Sequence, residues 1–211
     1  MNSPRKKIFF DNCVFYVLKD VYEPAEDSFL LAENLVVNQN DLVLDVGTGC
    51  GILGILAAEK AKKVVAIDVN PHAVGCARMN AELNGVAGKM DIRLGNLFEP
   101  IEGNEKYNVI VFNAPYLPSE RSEQKTWIER AWAGGPSGRE LVDQFISQAP
   151  RYLMEKGKIV LVQSTLSNVD ETIQKLEREG LRVVIVAKKK VTFETIVVIQ
   201  AERQPGQHST K

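Results

Sequence analysis

The sequence predicts an α/β fold: a mostly parallel, seven-stranded sheet with helices on both faces and one antiparallel strand. Three observations predict it. From residue 41 onward, short β-branched, apolar runs alternate with longer helical patterns. A glycine-rich turn joins the first of these runs to the helix after it. The last two runs have no helical pattern between them, so they pair as a hairpin and reverse one strand at or near the sheet edge.

Each element has its own signal. Residues 12–18 read as a short strand followed by a loop. A helix starts near Pro24, with Phe29, Leu30, Leu35 and Val36 on its apolar side. Residues 41–46 form a buried strand that stops at glycine, 52–60 a helix, and 63–67 a β-branched strand. Pro71 suits the first position of the next helix, with Asn70 as its cap. That helix ends near Leu83 at Asn84-Gly85. Residues 90–94 alternate as a strand and 107–112 are a second, apolar one. Residues 119–137 read as a polar, glycine-containing loop that still carries Trp127 and Trp132. Residues 138–154 are helical, 157–163 a strand, and 169–179 a helix stopped by Gly180. Residues 181–186 and 191–199 are strands around the basic turn Lys188-Lys189-Lys190. One domain is expected over residues 1–202, with a frayed tail over 203–211.

Composition narrows the function classes. The chain has 211 residues, 45% apolar and 25% charged, a normal globular balance with enough length for a sizeable core. Its 26 Lys+Arg against 27 Asp+Glu leave a net charge of −1, without the electrostatic footprint of a long nucleic-acid or anionic-membrane binder. Cys13, Cys50 and Cys76 are scattered, and His72 and His208 are the only histidines, so no metal site is expected. Reduced thiols, no signal peptide and no membrane span point to a cytoplasmic protein.

Four stretches carry chemistry, and all fall where strands end, the usual ligand edge of such a sheet. The first is Leu44-Asp45-Val46-Gly47-Thr48-Gly49-Cys50-Gly51. Its glycines let backbone pass close to a ligand, but Ile52 stands where a dinucleotide fingerprint needs glycine. Asp45 beside the loop would repel pyrophosphate and welcome a cationic or amino-bearing ligand. The second is Asp68, which with Val69 ends the next strand; an acid there suits ribose hydroxyls, although an isolated one would be a helix cap. The third is Gly95-Asn96-Leu97, where Asn96 could read an adenine edge and Leu97 pack on the ring; a plain loop turn fits equally well.

The fourth is Asn113-Ala114-Pro115-Tyr116. Asn113 offers a side-chain acceptor and Ala114 a main-chain one. Pro115 stiffens the turn and Tyr116 can stack on a flat amide or base. Alone, these residues fit an ordinary Asn/Pro turn just as well. Beside a nucleoside site they suggest methyl transfer from S-adenosyl-L-methionine, whose sulfonium and ammonium suit Asp45 better than NAD does.

Assembled, these residues resemble a HemK-like protein-glutamine N5-methyltransferase, a class I, Rossmann-like methyltransferase. The closer likeness is to the small archaeal and eukaryotic branch that modifies the Gly-Gly-Gln loop of class I release factors. Two longer blocks carry it: Val21-Tyr22-Glu23-Pro24-Ala25-Glu26-Asp27-Ser28-Phe29-Leu30, and Arg130-Ala131-Trp132-Ala133-Gly134-Gly135 followed by Gly138-Arg139-Glu140. Read without the likeness, Glu26 and Asp27 are charges in a helix's first turn and Trp132 a core anchor. The resemblance implies that residues 1–40 cover the cofactor, with Ser28 near its carboxylate. It implies that Asp45 and Gly47 hold the methionine part, Asp68 the ribose, and Asn96 and Leu97 the adenine, with Gly49, Gly51 and Val69 also at the cofactor. Asn113 would touch both cofactor and acceptor, with Tyr116 and Trp132 facing the acceptor. The family's Asn-Pro-Pro-Tyr is Asn-Ala-Pro-Tyr here, and its frequent adenine-site Asp is Asn96. The resemblance also implies a small zinc-ribbon activator subunit in a heterodimer.

Other acceptors fit Asn-x-Pro-Tyr: exocyclic amines of adenine or guanine, or a lysine amine. A non-catalytic nucleoside-binding subunit is a further reading, which the intact motif disfavours. Net charge disfavours nucleic acid.

Overall fold

The computed structural model describes residues 4–120 and 126–204. The chain begins with strands β1 (Pro4–Phe10) and β2 (Cys13–Leu18), an antiparallel pair forming its own small sheet. Helix α1 (Glu26–Glu33) follows. The alternating part then runs β3 (Leu42–Val46), α2 (Ile52–Lys60), β4 (Lys63–Asp68), α3 (Pro71–Leu83), β5 (Met90–Leu94) and β6 (Tyr107–Asn113). After it come α4 (Trp127–Trp132), α5 (Glu140–Gln148), β7 (Leu153–Ser164), α6 (Val169–Arg178), β8 (Leu181–Lys190) and β9 (Thr195–Arg203).

The main sheet has seven strands in the order β5-β4-β3-β6-β7-β9-β8. Every neighbouring pair is parallel except those of β9, which runs against both β7 and β8. The expected reversed strand is therefore β9, one place in from the edge. The order reverses between β3 and β6, and a doubly wound sheet opens a crevice at such a point, beyond the strands' carboxyl ends.

Side-chain alternation along the inner strands feeds two cores. Val43, Val64, Ala66, Val109 and Val111 face one side, where they meet Phe15, Leu31 and Ile55 from β2, α1 and α2. Leu44, Val65, Ile67 and Ile110 face the other, against Phe145 of α5 and Leu176 of α6. Strands with apolar residues on both faces belong in the middle of a covered sheet. Each fully buried Leu, Ile or Phe contributes about 1.5–3 kcal/mol relative to an exposed one. The small β1–β2 sheet is clasped to α3. Asn80 accepts from the Tyr16 N–H and donates to its carbonyl, and Asn84 does the same for Val14.

Four expectations need correction. The basic N-terminus forms β1 and was not expected as a strand. The helix expected over 138–154 covers only Glu140–Gln148: Pro150 sits in a 3-10 turn over Ala149–Tyr152, and β7 starts at Leu153, earlier than its glycine suggested. The expected 119–137 loop contains α4, started by a capping box in which the Thr126 side chain accepts from the Glu129 N–H and Glu129 accepts from the Thr126 N–H. Lys188, Lys189 and Lys190 are paired residues of β8, opposite Val197, Ile196 and Thr195, so the hairpin turns later, at residues 191–194. At the chain end, β9 reaches Arg203, one residue past the expected boundary; residues 205–211 of the expected tail lie outside the described residues.

Candidate active site

A cleft open to solvent lies above the carboxyl ends of β3, β4, β5 and β6. Four chain turns shape it. After β3, Gly47 and Gly49 take φ +67° and +58° and turn the chain over the strand ends. A Cβ on Gly47 would meet the Phe112 ring at 3.3 Å, so the loop backbone lies against the end of β6. Asp68 at the end of β4 pins this loop: its carboxylate accepts from the Gly49 N–H at 2.8 Å and from the Asn70 N–H at 2.8 Å. Burial raises the Asp68 pKa, and the backbone N–H groups of Asn70, Gly49 and Val69 oppose that rise. Val69, Asn96 and the buried Leu97 continue the wall. Leu97 holds a left-handed φ of +49°, an unusual backbone for leucine.

The opposite wall is Asn113-Ala114-Pro115-Tyr116, tied to α1 by a hydrogen-bond chain. Asn113 Nδ2 donates to Ser28 Oγ at 2.9 Å, and Ser28 Oγ donates to Asp27 Oδ1 at 3.1 Å. The phenols of Tyr116 and Tyr22 both donate to Asp27 Oδ2 at 3.2 Å. Asp27 is 7% exposed and also accepts from the Ser28 N–H at 2.6 Å. It sits in the first turn of α1, where the helix dipole favours an anion. Burial, then the nearby Asp27 carboxylate, holds both phenols far above their ordinary pKa, so both stay donors. Among the described residues no donor reaches Asn113 Oδ1 or the Ala114 carbonyl. The site thus offers two adjacent uncommitted acceptors.

The outer rim comes from α4. Trp127, Arg130 and Trp132 line the cleft, and the Arg130 guanidinium lies 5.1 Å from the Trp127 ring centroid. The rim is strapped to the motif's exit by two bonds, Leu117 N–H to the Trp132 carbonyl and Gly134 N–H to the Leu117 carbonyl. Gly138 takes φ +71°, and a Cβ there would fall 2.4 Å from the Tyr116 carbonyl.

Twelve of the residues singled out from the sequence line this one cleft: Ser28, Gly47, Gly49, Asp68, Val69, Asn96, Leu97, Asn113, Ala114, Pro115, Tyr116 and Trp132. Two do not reach it. Gly51 faces the helices, where its Cβ would lie 3.2 Å from Ala77, so its left-handed turn serves to pack α2 on α3. Asp45 has no exposed surface; Oδ2 accepts from Thr48 Oγ1 at 2.6 Å and the Gly54 N–H at 2.9 Å beneath the loop. It supports the loop and does not line the cleft. Ser28 lines the cleft, but its hydroxyl and N–H protons both go to Asp27, leaving neither for a ligand carboxylate. Sequence reasoning placed Tyr22, Asp27 and Arg130 only within the two longer blocks and gave none of them a role of its own. The Thr126-x-x-Glu129 capping pattern was a readable signal for the helix that carries Arg130.

Asp45 makes a testable pH signature. Burial pushes its carboxyl up to about 7 from 3.8. Between those values the folded chain holds a proton that the unfolded chain has released, so this group's contribution to stability falls as pH rises from about 4 to about 7. Asp45→Asn is expected to flatten that slope in urea melts run from pH 5 to 8. A slope unchanged in the variant would remove Asp45 as its source.

The chain's residues 24–196 match the model of the methyltransferase small domain. The chain belongs to this family. As a Rossmann-like methyltransferase it uses S-adenosylmethionine as methyl donor, and its residues suit that group: an acid and an apolar bed for a nucleoside, and a glycine loop without bulk against them. It is 45% identical to a putative protein N5-glutamine methyltransferase of Methanocaldococcus jannaschii over 87% of this chain and 92% of that one. It is 31% identical to methyltransferase HEMK2 of Homo sapiens over 86% and 89%. The solved Mtq2–Trm112 complex of E. cuniculi, described as responsible for methylation of the eRF1 translation termination factor, contains a similar chain. That chain superposes at a TM-score of 0.69 with 26% identity, over 88% of this chain and 99% of its own.

Proposed function

We propose that this methyltransferase transfers a methyl group to the side-chain amide nitrogen of the glutamine in the Gly-Gly-Gln loop of a class I release factor. The observation that carries the reading is the pair of uncommitted acceptors, Asn113 Oδ1 and the Ala114 carbonyl. A primary amide presents two N–H donors in one plane, and this pair matches them. Ala114 acts through its carbonyl, so alanine in place of the family's proline keeps the acceptor.

S-adenosylmethionine supplies an electrophilic methyl group. The chain's own residues do the rest. Accepting from both N–H groups orients the amide nitrogen and favours the positive charge that grows on it; one of those two N–H protons is then released to water, leaving a neutral N-methyl amide. Tyr116, held by Asp27, fixes the plane of the amide. The α4 rim around Trp132 shelters the acceptor, and fixed alignment contributes several kcal/mol more. Asp68 holds the ribose, with Leu97 and Asn96 at the adenine.

Relatives' names support the acceptor assignment, including the eRF1 methyltransferase catalytic subunit of Schizosaccharomyces pombe, 26% identical over 88% of this chain. The assignment places the enzyme in the cytoplasm; among the described residues no helix is long and apolar enough to cross a membrane. A small zinc-ribbon activator subunit is the further partner, in keeping with the Mtq2–Trm112 neighbour. Exposed Leu83 and Leu94 on α3 and β5, and Phe9 on β1, are apolar surface for it to cover.

The test uses the chain alone and co-expressed with the activator, with labelled S-adenosylmethionine and release factor, tRNA, rRNA or DNA as acceptor. Label on the release factor, located at the loop glutamine by mass spectrometry, is the expected result. Label on nucleic acid alone would replace the reading with base methylation.

A further inference from the structure

We infer that Asp27 is a positioning residue that sets the polarity of the Asn113 amide, turning its carbonyl, not its NH2, toward the methyl acceptor. The inference rests on the amide-methylation reading and deepens it. The two ends of an asparagine amide have nearly the same shape but opposite hydrogen-bonding character. A site that must accept two protons fails if Asn113 turns its NH2 to the acceptor, because donors then face donors.

The choice is made two residues away along the hydrogen-bond chain. An ionised carboxylate only accepts, so each group bonded to Asp27 must donate. Ser28 has a single hydroxyl proton, and it goes to Asp27 Oδ1 at 3.1 Å. Ser28 Oγ can then only accept from Asn113, 2.9 Å away, which selects the Nδ2 end for that contact. Asn113 Oδ1 is left pointing to the remaining side. The same carboxylate takes the Tyr116 proton at 3.2 Å, so one anion orients both side chains of the motif. No cation pairs with Asp27 among the described residues. Four donors and the first turn of α1 hold it instead, a costly arrangement to keep unless its acceptor-only character is used.

Asp27→Asn tests the inference with almost no change of shape. An amide at 27 can donate to Ser28 Oγ, which frees the hydroxyl proton to go to Asn113 and reverses the 113 amide. Activity is measured on the release factor, with the activator co-expressed. Turnover is expected to fall about 10²-fold, as for loss of one transition-state hydrogen-bond partner. Affinity for S-adenosylmethionine, by calorimetry, is expected to stay within about threefold, a split that general damage to the fold would not produce.

The same substitution on an Asn113→Ala background has no amide left to reverse, so its effect there is expected to shrink at least about tenfold. Equal losses in both backgrounds would overturn the relay. If Asp27→Asn does not fold, Ser28→Ala breaks the same chain at its middle link, and turnover unchanged in that variant also overturns it. Wild-type enzyme that leaves the release factor unlabelled would sink the glutamine reading; labelled wild type with equal losses would sink the relay alone.

Discussion

Asn113→Ala is expected to lower kcat by about 10²–10³, with cofactor affinity changed far less. The substitution removes one of the two uncommitted acceptors to which the proposed function assigns the methyl-receiving nitrogen. That acceptor matters most when positive charge has developed, because the free amide is nearly neutral and its N–H groups are then weaker donors. Loss of a single preorganised partner for developing charge costs about 2.7–4 kcal/mol in other enzymes. Asn113 lies at the end of β6, in register with Val162 of β7, so the strand beneath it survives truncation. Steady-state rates on a release-factor acceptor, beside S-adenosylmethionine titration by calorimetry, separate the two effects. Near-normal turnover would remove Asn113 from the chemistry.

Asp68→Ala should show the opposite split: cofactor affinity falls about 10²-fold, and turnover at saturation much less. The carboxylate accepts from Gly49 and Asn70 while lining the cleft, so it builds the loop as well as standing where the proposed ribose contact falls. Removing it leaves two backbone N–H groups without their acceptor, each costing about 1–3 kcal/mol where water cannot replace it. Part of the loss is therefore paid in the free protein, and the melting temperature should drop too. Asp68→Asn, which keeps one acceptor, is expected to fall between. Unchanged affinity in the alanine variant would refute a ribose contact.

The sheet was legible because its inner strands are apolar on both faces and its loops carry glycine or proline at their turns. β3 ends, and α3 starts and ends, close to where the residues suggested, since Gly47, Asn70-Pro71 and Gly85 each act locally. The misreadings arise where distant contacts decide. Lys188–Lys190 look like a turn, yet an edge strand tolerates lysines because its outer side faces water. The run after Pro150 looks helical, yet pairing with β6 draws it into β7.

The cleft residues were legible by type, because strand ends gather them, but not by contact. Asp27 reads as a helix-start charge; its partner Tyr116 lies 89 positions away, and that of Ser28 lies 85 away. Asp45 reads as a ligand group, and only the packing of Thr48 and Gly54 over it shows otherwise.

The clasp of Asn80 and Asn84 on β2 has a consequence for how the molecule meets other chains. An unpaired strand margin is a template on which foreign strands add, leading to domain exchange or fibrils. Here two amide side chains stand in for the missing neighbour of β2, matching the N–H and carbonyl of alternate residues as a real strand would. That margin is sealed against strand addition without spending an extra strand on it. Replacing both asparagines with leucine would reopen it, and self-association on storage is the symptom to watch for.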